Sequence, residues 1–249
     1  TGTTFNLADT DNDTAADGSD AAPRTVDLDY RDNAYKPSLD LDANNSSGAA
    51  GLDHAATYTE GGAGVAIADA GATITDGDSA NMTGATVTLT DAQAGDRLLV
   101  NGSAAASGTL ASGITWTRTD TVVTLAGAFS RAEYQAALRL ITFMSTSVAP
   151  STLARHVTAT VSDGTSSSAA ATTTITVLSV NQAPSGTDKT VTTTEDTVYN
   201  FTLADFGFSD TDGNSLQAVV IATLPSQGLL TYSNGSARLT VSAGTVLAA

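Results

Sequence analysis

The chain has 249 residues and a formal net charge of −16, because 26 acidic side chains are opposed by only 10 basic ones. This charge excludes nucleic acid as an expected partner, since phosphate binding needs clustered Lys and Arg. No apolar run approaches the roughly 18 residues of a membrane span, so membrane insertion is not expected either. Hydrophobic residues make up 41% and cysteine is absent, so a core can form but must hold without disulfides. A cation is the partner that this composition favours.

The first twenty residues carry a run of closely spaced aspartates. They occupy positions 1, 3, 5, 9 and 12 of a twelve-residue loop of the EF-hand type: Asp9, Asp11, Asp13, Asp17 and Asp20. Thr14 stands where that motif requires Gly, and the last position holds Asp where the motif requires Glu. A calcium site and a solvated acidic turn therefore both fit this segment.

Four segments in the middle of the chain alternate polar and apolar residues with the period of a β-strand: 85–90, 114–119, 121–125 and 172–177. Short strands separated by turns predict an all-β sandwich. One helix is expected to interrupt them and to close an end of the sandwich. Ser130 with Glu133 forms a capping box, and Phe129 with Tyr134 forms a hydrophobic staple. On this helix Tyr134, Leu138 and Ile141 are expected to share one face.

A glutamate followed by an Asp-x-Asp pair occurs twice, about 135 residues apart. The two sets are Glu60 with Asp76 and Asp78, and Glu195 with Asp210 and Asp212. A second similarity relates residues 15–37 to 161–184, because each runs from an Asp-Gly turn through an alternating segment to a proline linker. Self-similarity of this kind indicates a repeat array. We predict the tail of one repeat in 1–37, a complete domain in 38–180 and an incomplete second domain in 181–249.

The recurring carboxylates are suited to calcium, which binds about six to eight oxygen ligands. An Asp-x-Asp pair directs two carboxylates the same way, and a Glu and an Asn from other segments could complete the shell. The candidate ligands are Asp40, Asp42, Glu60, Asp76 and Asp78 in one set, and Asn181, Glu195, Asp210 and Asp212 in the other. Turn formation alone also explains a single Asp-x-Asp-Gly. Its recurrence at matched spacing favours the metal interpretation.

Catalysis finds little support in the sequence. His54 and His156 have no cysteine and no serine in a nucleophile motif to act with. Paired carboxylates could hydrolyse a glycoside, but few aromatic residues are present to hold a sugar chain. We therefore expect no enzyme. Trp116 and Arg118 share one strand face and are candidates for sugar contact, although the phase of Trp116 with Ile114 favours core packing. The other candidates for sugar contact are Arg97, Arg155, Tyr30, Tyr35 and Tyr58.

Several segments resemble the bacterial cadherin-like repeats of large adhesins exported by type I secretion. They are LDLDANNSSG (39–48), YTEGGAGVAIADAGATITDGDS (58–79) and FSRAEYQAALRLITF (129–143), and the resemblance continues through 157–184 and 190–216. It implies tandem cadherin-like β-sandwich domains of the Ig-like Greek-key type, with one short helix inserted in the complete domain. It also implies calcium at the domain junctions. Rhizobial adhering proteins, secreted agglutinins built from such domains, bind acidic exopolysaccharide with calcium.

The resemblance distributes the ligands over two junctions. Near residue 181 it implies Asn181, Glu195, Asp210 and Asp212, with Asp163 added from the preceding Asp-Gly turn; near residue 38 it implies the first set. The linker departs from the usual Asn-Asp-Ala-Pro, because Gln182 stands in place of the aspartate. The expected role is a calcium-stiffened module of a secreted or cell-surface bacterial adhesin, acting in adhesion or biofilm matrix assembly. One alternative is a calcium-dependent lectin that binds acidic exopolysaccharide directly. The other is a purely structural extender, which holds a separate binding tip away from the cell, or a filament or surface-layer subunit that contacts neighbouring copies.

Overall fold

The computed structural model describes residues 36–249. These residues form two compact units, and the boundary between the units lies between Val180 and Asn181. Within the described residues no helix has both the length and the apolar character needed to cross a membrane.

The first unit consists mainly of short strands, as the alternation predicts. Its elements are β1 Ser38–Asp40, β2 His54–Thr59, β3 Val65–Ala66, β4 Thr73–Thr75, β5 Asn81–Leu89, β6 Asp96–Val100, β7 Ser107–Thr109, β8 Thr115–Arg118, β9 Val122–Ser130, helix α1 Arg131–Arg139, β10 Ile141–Ser145, β11 Arg155–Ser162 and β12 Ala171–Leu178. The prediction of a mostly-β fold with one inserted helix is confirmed for the described residues.

The strands form open sheets that pack on one another. One sheet has seven strands in the order β2-β12-β11-β5-β9-β8-β7, and a second has three in the order β3-β10-β6. All neighbours in the larger sheet are antiparallel except β2 and β12, which run parallel. The sheets meet where Tyr58 packs edge-on against Phe143, with ring centroids 5.5 Å apart. The Tyr58 hydroxyl also donates to the Ser145 carbonyl across this contact, at 2.8 Å.

The core follows directly from the period-two pattern of the strands. On β11 the alternate residues Val157, Ala159 and Val161 are buried, whereas His156, which directly precedes Val157, is exposed. The same alternation on β12 buries Ile175 and Val177. Each fully buried aliphatic side chain of this size contributes about 1.5–3 kcal/mol to folding. Alternation therefore sets which face of the large sheet carries the core.

Helix α1 begins where the capping box predicts. The Ser130 hydroxyl accepts the Glu133 N–H at 3.3 Å, and the Glu133 carboxylate accepts the Ser130 N–H at 2.8 Å. Tyr134 and Leu138 are fully buried, so the predicted helix face packs on the core. The prediction is wrong for Ile141, because the helix ends at Arg139 and Ile141 begins β10. Pairing of Ile141 with Val100 of β6 explains why the chain turns to strand there.

The second unit has much less core. It contains a 3-10 turn at Leu203–Phe206 and the strands β13 Ala218–Ile221, β14 Thr231–Ser233, β15 Arg238–Thr240 and β16 Thr245–Ala248. These strands form two separate two-stranded sheets, β13 with β16 and β14 with β15. Among residues 181–249, Val241 is the single large hydrophobic side chain that is buried. Many of its other apolar side chains are exposed, which leaves the unit with an open apolar surface.

Candidate metal centre

The first Asp-x-Asp pair lies in the turn between β4 and β5. Oδ1 of Asp76 accepts the backbone N–H groups of Asp78 at 3.1 Å and Ser79 at 3.2 Å. These bonds form the local turn that aspartate favours, so the turn interpretation of the sequence is part of the answer. They leave Oδ2 of Asp76 buried with no hydrogen-bond partner. A buried carboxylate oxygen without a partner is costly, so a ligand bound to this oxygen would stabilise the turn.

Asp163 reaches the same place from a distant part of the chain. Strands β5 and β11 are antiparallel neighbours, with Gly84 opposite Ser162. This pairing places the beginning of β5 beside the end of β11, where Asp163 follows. Its Oδ1 accepts the N–H groups of Thr165 and Ser166, both at 2.7 Å, in a tight turn. The turn contains a glycine with φ of +100°, a conformation that other residues rarely adopt.

Asp76, Asp78 and Asp163 together form a cluster that we call the aspartate trio. Each contributes one carboxylate oxygen, and these oxygens all lie within 4.8 Å of one another. Oxygens bound to one calcium ion at about 2.3–2.6 Å are at most about 5 Å apart. The trio can therefore hold a single cation without rearrangement of the strands. Within residues 36–249 it is the single group of three or more His, Cys, Asp or Glu side chains with this property.

The electrostatics of the trio show mutual repulsion. The pKa of Asp78 is raised, first by its hydrogen bond with the Asp76 carboxyl, then by burial and by the charges of Asp76 and Asp163. Burial also acts to raise the pKa of Asp76, but hydrogen bonds from Asp78 and Ser79 and the charge of Arg131 lower it overall. A cation bound between these carboxylates would relieve the repulsion.

Arg131 is a participant that the sequence did not indicate. Its Nη1 donates to the Asp76 carbonyl oxygen at 3.0 Å, from the first turn of α1. This contact ties the helix to the β4–β5 turn. It also places one positive charge beside the trio, which offsets part of the negative charge of the three aspartates without a metal.

Two other members of the first set lie at the end of β1 and in the loop that follows it. Asp42 is fully buried, and its carboxylate accepts the N–H groups of Ser46 at 3.1 Å and Ser47 at 2.8 Å. The hydrogen bond with Ser47 is the main reason that the pKa of Asp42 is lowered. Asp40 accepts the Asp42 N–H at 2.9 Å. These carboxylates organise the loop, and neither belongs to the aspartate trio.

Glu60 has a different position again. Because β2 and β12 are parallel, their carboxyl ends lie side by side, and Glu60 follows β2 there. Its Oε2 accepts the Val180 N–H at 2.8 Å and the Ser179 hydroxyl at 3.0 Å. The first predicted set is therefore distributed over three places: the loop after β1, the end of β2 and the aspartate trio.

The second predicted set is largely brought together within the second unit. Oδ1 of Asp210 accepts the Asp212 N–H at 2.9 Å and the Asn214 N–H at 3.0 Å, the same type of turn as at Asp76. The Asn214 amide donates to Oδ1 of Asn181 at 3.0 Å, and Oδ2 of Asp212 accepts the Gln182 N–H at 2.5 Å. The carboxylate of Glu195 takes no part in this hydrogen-bond set. The aspartates of the EF-hand-like segment, Asp9, Asp11, Asp13, Asp17 and Asp20, lie outside the described residues.

Two of the candidates for sugar contact, Trp116 and Arg118, face inward. Trp116 is buried as predicted, and its ring lies so close to Gly108 that a Cβ there would approach within 2.6 Å. The Arg118 guanidinium donates to the Leu98 carbonyl at 2.7 Å and to Asp120 at 3.0 Å. Both side chains are therefore engaged within the first unit.

Comparison of the chain with protein-family models and with curated proteins finds no match. The described geometry is that of a mostly-β protein with an acidic cluster that could hold a metal ion. The acidic cluster is therefore the feature of the described residues from which a function can be proposed.

Proposed function

We propose that the chain is a calcium-binding module of a secreted or cell-surface bacterial adhesin, in which calcium at the aspartate trio locks the first unit. The observation that carries the proposal is the convergence of three carboxylates within 4.8 Å, one of them with a buried oxygen that has no partner. Like charges held this close are costly without a cation between them. A bound calcium ion would supply the positive charge that offsets this repulsion.

The donor chemistry favours calcium over other metals. All the side chains of the trio offer oxygen, whereas zinc prefers Cys and His, and the chain has no cysteine. Magnesium demands a near-ideal octahedron and keeps much of its water. Two of the carboxylates stand in turns that are already fixed by backbone hydrogen bonds, which suits the irregular, larger shell of calcium.

Calcium at this position would act as a clamp on the large sheet. It would join the β4–β5 turn to the turn after β11, so the ends of two neighbouring strands could not separate. A module that stiffens in millimolar calcium is useful outside the cell, where such calcium sites bind with Kd of about 10⁻⁴–10⁻³ M. The resemblance to cadherin-like repeats extends the proposal to a second, weaker site at the start of the second unit, with Asn181, Asp210 and Asp212 as its ligands.

Isothermal titration with calcium tests the proposal directly. The wild-type chain is compared with Asp163→Asn and with the control Asp188→Asn, which removes the same charge from an exposed position of the second unit. We expect Asp163→Asn to bind one calcium ion fewer than the other two proteins, and magnesium not to compete. Equal stoichiometry in all three proteins would show that the trio binds no calcium.

The extender role is proposed over the lectin role because Trp116 and Arg118 are engaged inside the first unit. Retention on immobilised acidic polysaccharide distinguishes the two roles. An extender passes through the column in calcium and in chelator alike. Calcium-dependent retention that disappears in chelator would instead establish the lectin role, with calcium bridging two acidic partners.

A further inference from the structure

Arg131 is held to the β4–β5 turn by contacts with the main chain. Its Nη1 donates to the Asp76 carbonyl at 3.0 Å, whereas Oδ2 of Asp76 stays buried without a hydrogen-bond partner. The Arg131 N–H donates to the Ala80 carbonyl at 3.3 Å, in the same turn. Within residues 36–249 the guanidinium forms no ion pair with a carboxylate of the aspartate trio. A positive charge is therefore fixed beside the trio without occupying the oxygens that a cation would bind.

This fixed charge acts differently on the metal-free and the calcium-bound states of the trio. Without a metal it attracts three carboxylates whose oxygens lie within 4.8 Å of one another, so it offsets part of their repulsion. With calcium among the same oxygens, the charge of Arg131 repels the bound ion. Arg131 is half-buried, so solvent and salt screen its charge less than that of an exposed side chain. The side chain should therefore stabilise the metal-free state more than the calcium-bound state.

We propose that Arg131 is an internal counter-ion of the aspartate trio and that its charge sets the calcium affinity of the trio. The inference rests on the proposed function, because it concerns the same site. By thermodynamic linkage, the free energy by which Arg131 favours the metal-free state is lost from calcium binding. The side chain thus supports the fold of the first unit when calcium is withdrawn. It also holds the site in the weak range typical of extracellular modules, with Kd of about 10⁻⁴–10⁻³ M.

Arg139 provides a matched control on the same helix. It is half-buried like Arg131, and it also donates to main-chain carbonyls, from Nε to Asp69 at 3.1 Å and from Nη2 to Ala72 at 2.8 Å. The two arginines are about 12 Å apart along the axis of α1. This distance exceeds the screening length of about 8 Å at physiological ionic strength. Removing the charge of Arg139 should therefore leave the trio unaffected, although it also removes a tether between α1 and the chain before β4.

Isothermal titration with calcium at physiological ionic strength compares the wild-type chain with Arg131→Gln, Arg131→Lys and Arg139→Gln. Glutamine keeps an amide that can donate to the Asp76 carbonyl but removes the charge, so Arg131→Gln should bind calcium roughly three- to tenfold more tightly. Lysine keeps the charge and a donor, so Arg131→Lys should bind calcium as the wild type does. Arg139→Gln should also match the wild type. A purely structural role for Arg131 would instead weaken calcium binding in Arg131→Gln.

Repeating the titration in the Asp163→Asn background shows whether the effect belongs to the trio. Because that background lacks one of the three carboxylates, Arg131→Gln should no longer tighten calcium binding there. If the wild type and Asp163→Asn bind the same number of calcium ions, the proposed function fails and the counter-ion role fails with it. If the wild type binds calcium at the trio, three results overturn the counter-ion role alone: binding by Arg131→Gln that is equal or weaker, equal tightening by Arg139→Gln, or tightening that persists in the Asp163→Asn background.

Discussion

Replacing Asp163 by Asn separates the metal role of this residue from its structural role. The asparagine keeps a side-chain oxygen that can accept the N–H groups of Thr165 and Ser166, so the turn after β11 should survive. It removes one of the three negative charges of the trio, and the charge of Asp163 is one cause of the raised pKa of Asp78. In chelator the variant should therefore be at least as stable as the wild type. In calcium it should be less stable.

The size of the calcium effect follows from mass action. A ligand that binds the folded state alone stabilises it by RT ln(1 + [L]/Kd). With ten-millimolar calcium and a Kd of about 10⁻⁴–10⁻³ M, this amounts to about 1.4–2.7 kcal/mol. A domain of roughly 150 residues gains about 2–4 °C in Tm for each kcal/mol. The wild-type first unit should therefore melt roughly 3–10 °C higher in calcium than in chelator.

Differential scanning calorimetry of three proteins checks this reasoning. The wild type and the control Asp188→Asn should show the full calcium shift of the first unit, and Asp163→Asn should lose most of it. The variant should also melt at or above the wild-type temperature in chelator. Calcium binding at the trio is refuted if the wild-type Tm is the same in calcium and in chelator. It is also refuted if Asp163→Asn shows the same calcium-induced rise in Tm as the wild type.

Three further predictions concern the first unit in chelator. Hydrogen bonds from Ser47 lower the pKa of Asp42 in the folded protein. They therefore stabilise the fold fully above the ordinary aspartate pKa of about 4, and this stabilisation is lost as the pH falls through the lowered pKa of the folded state. Urea unfolding at a series of acidic pH values should show this loss, and Asp42→Asn should flatten it. Arg155 forms an ion pair with Asp96 in which both side chains are fully buried. Arg155→Met should cost about 3–5 kcal/mol in the same assay, because it leaves a buried charge unpaired. Ser130→Ala removes the cap of α1 and should cost about 0.5–2 kcal/mol by urea unfolding, with Ser130→Asp recovering most of the loss.

Local patterns in the sequence predicted some of the strands of the first unit, its helix and part of its core. Period-two alternation indicated β5, β8, β9 and β12, because a strand that is buried on one face must alternate. The capping box located the start of α1 from Ser130 and Glu133 alone, since the bonds it makes are all within one turn. The phase of Trp116 with Ile114 was enough to predict its burial. Each of these signals depends on residues a few positions apart.

The composition of the metal site depended on contacts that no local pattern contains. The resemblance to cadherin-like repeats implied Asp163 at the junction near residue 181, whereas the antiparallel pairing of β5 with β11 brings it to Asp76 and Asp78. Likewise, the parallel pairing of β2 with β12 takes Glu60 to the carboxyl end of β12, where Val180 donates to it. Alternation shows that a strand exists and which face it buries, but the same pattern is compatible with many partners. The tertiary structure decides between them because all the apolar faces must be buried together, and the strand order that results determines which loop carboxylates meet.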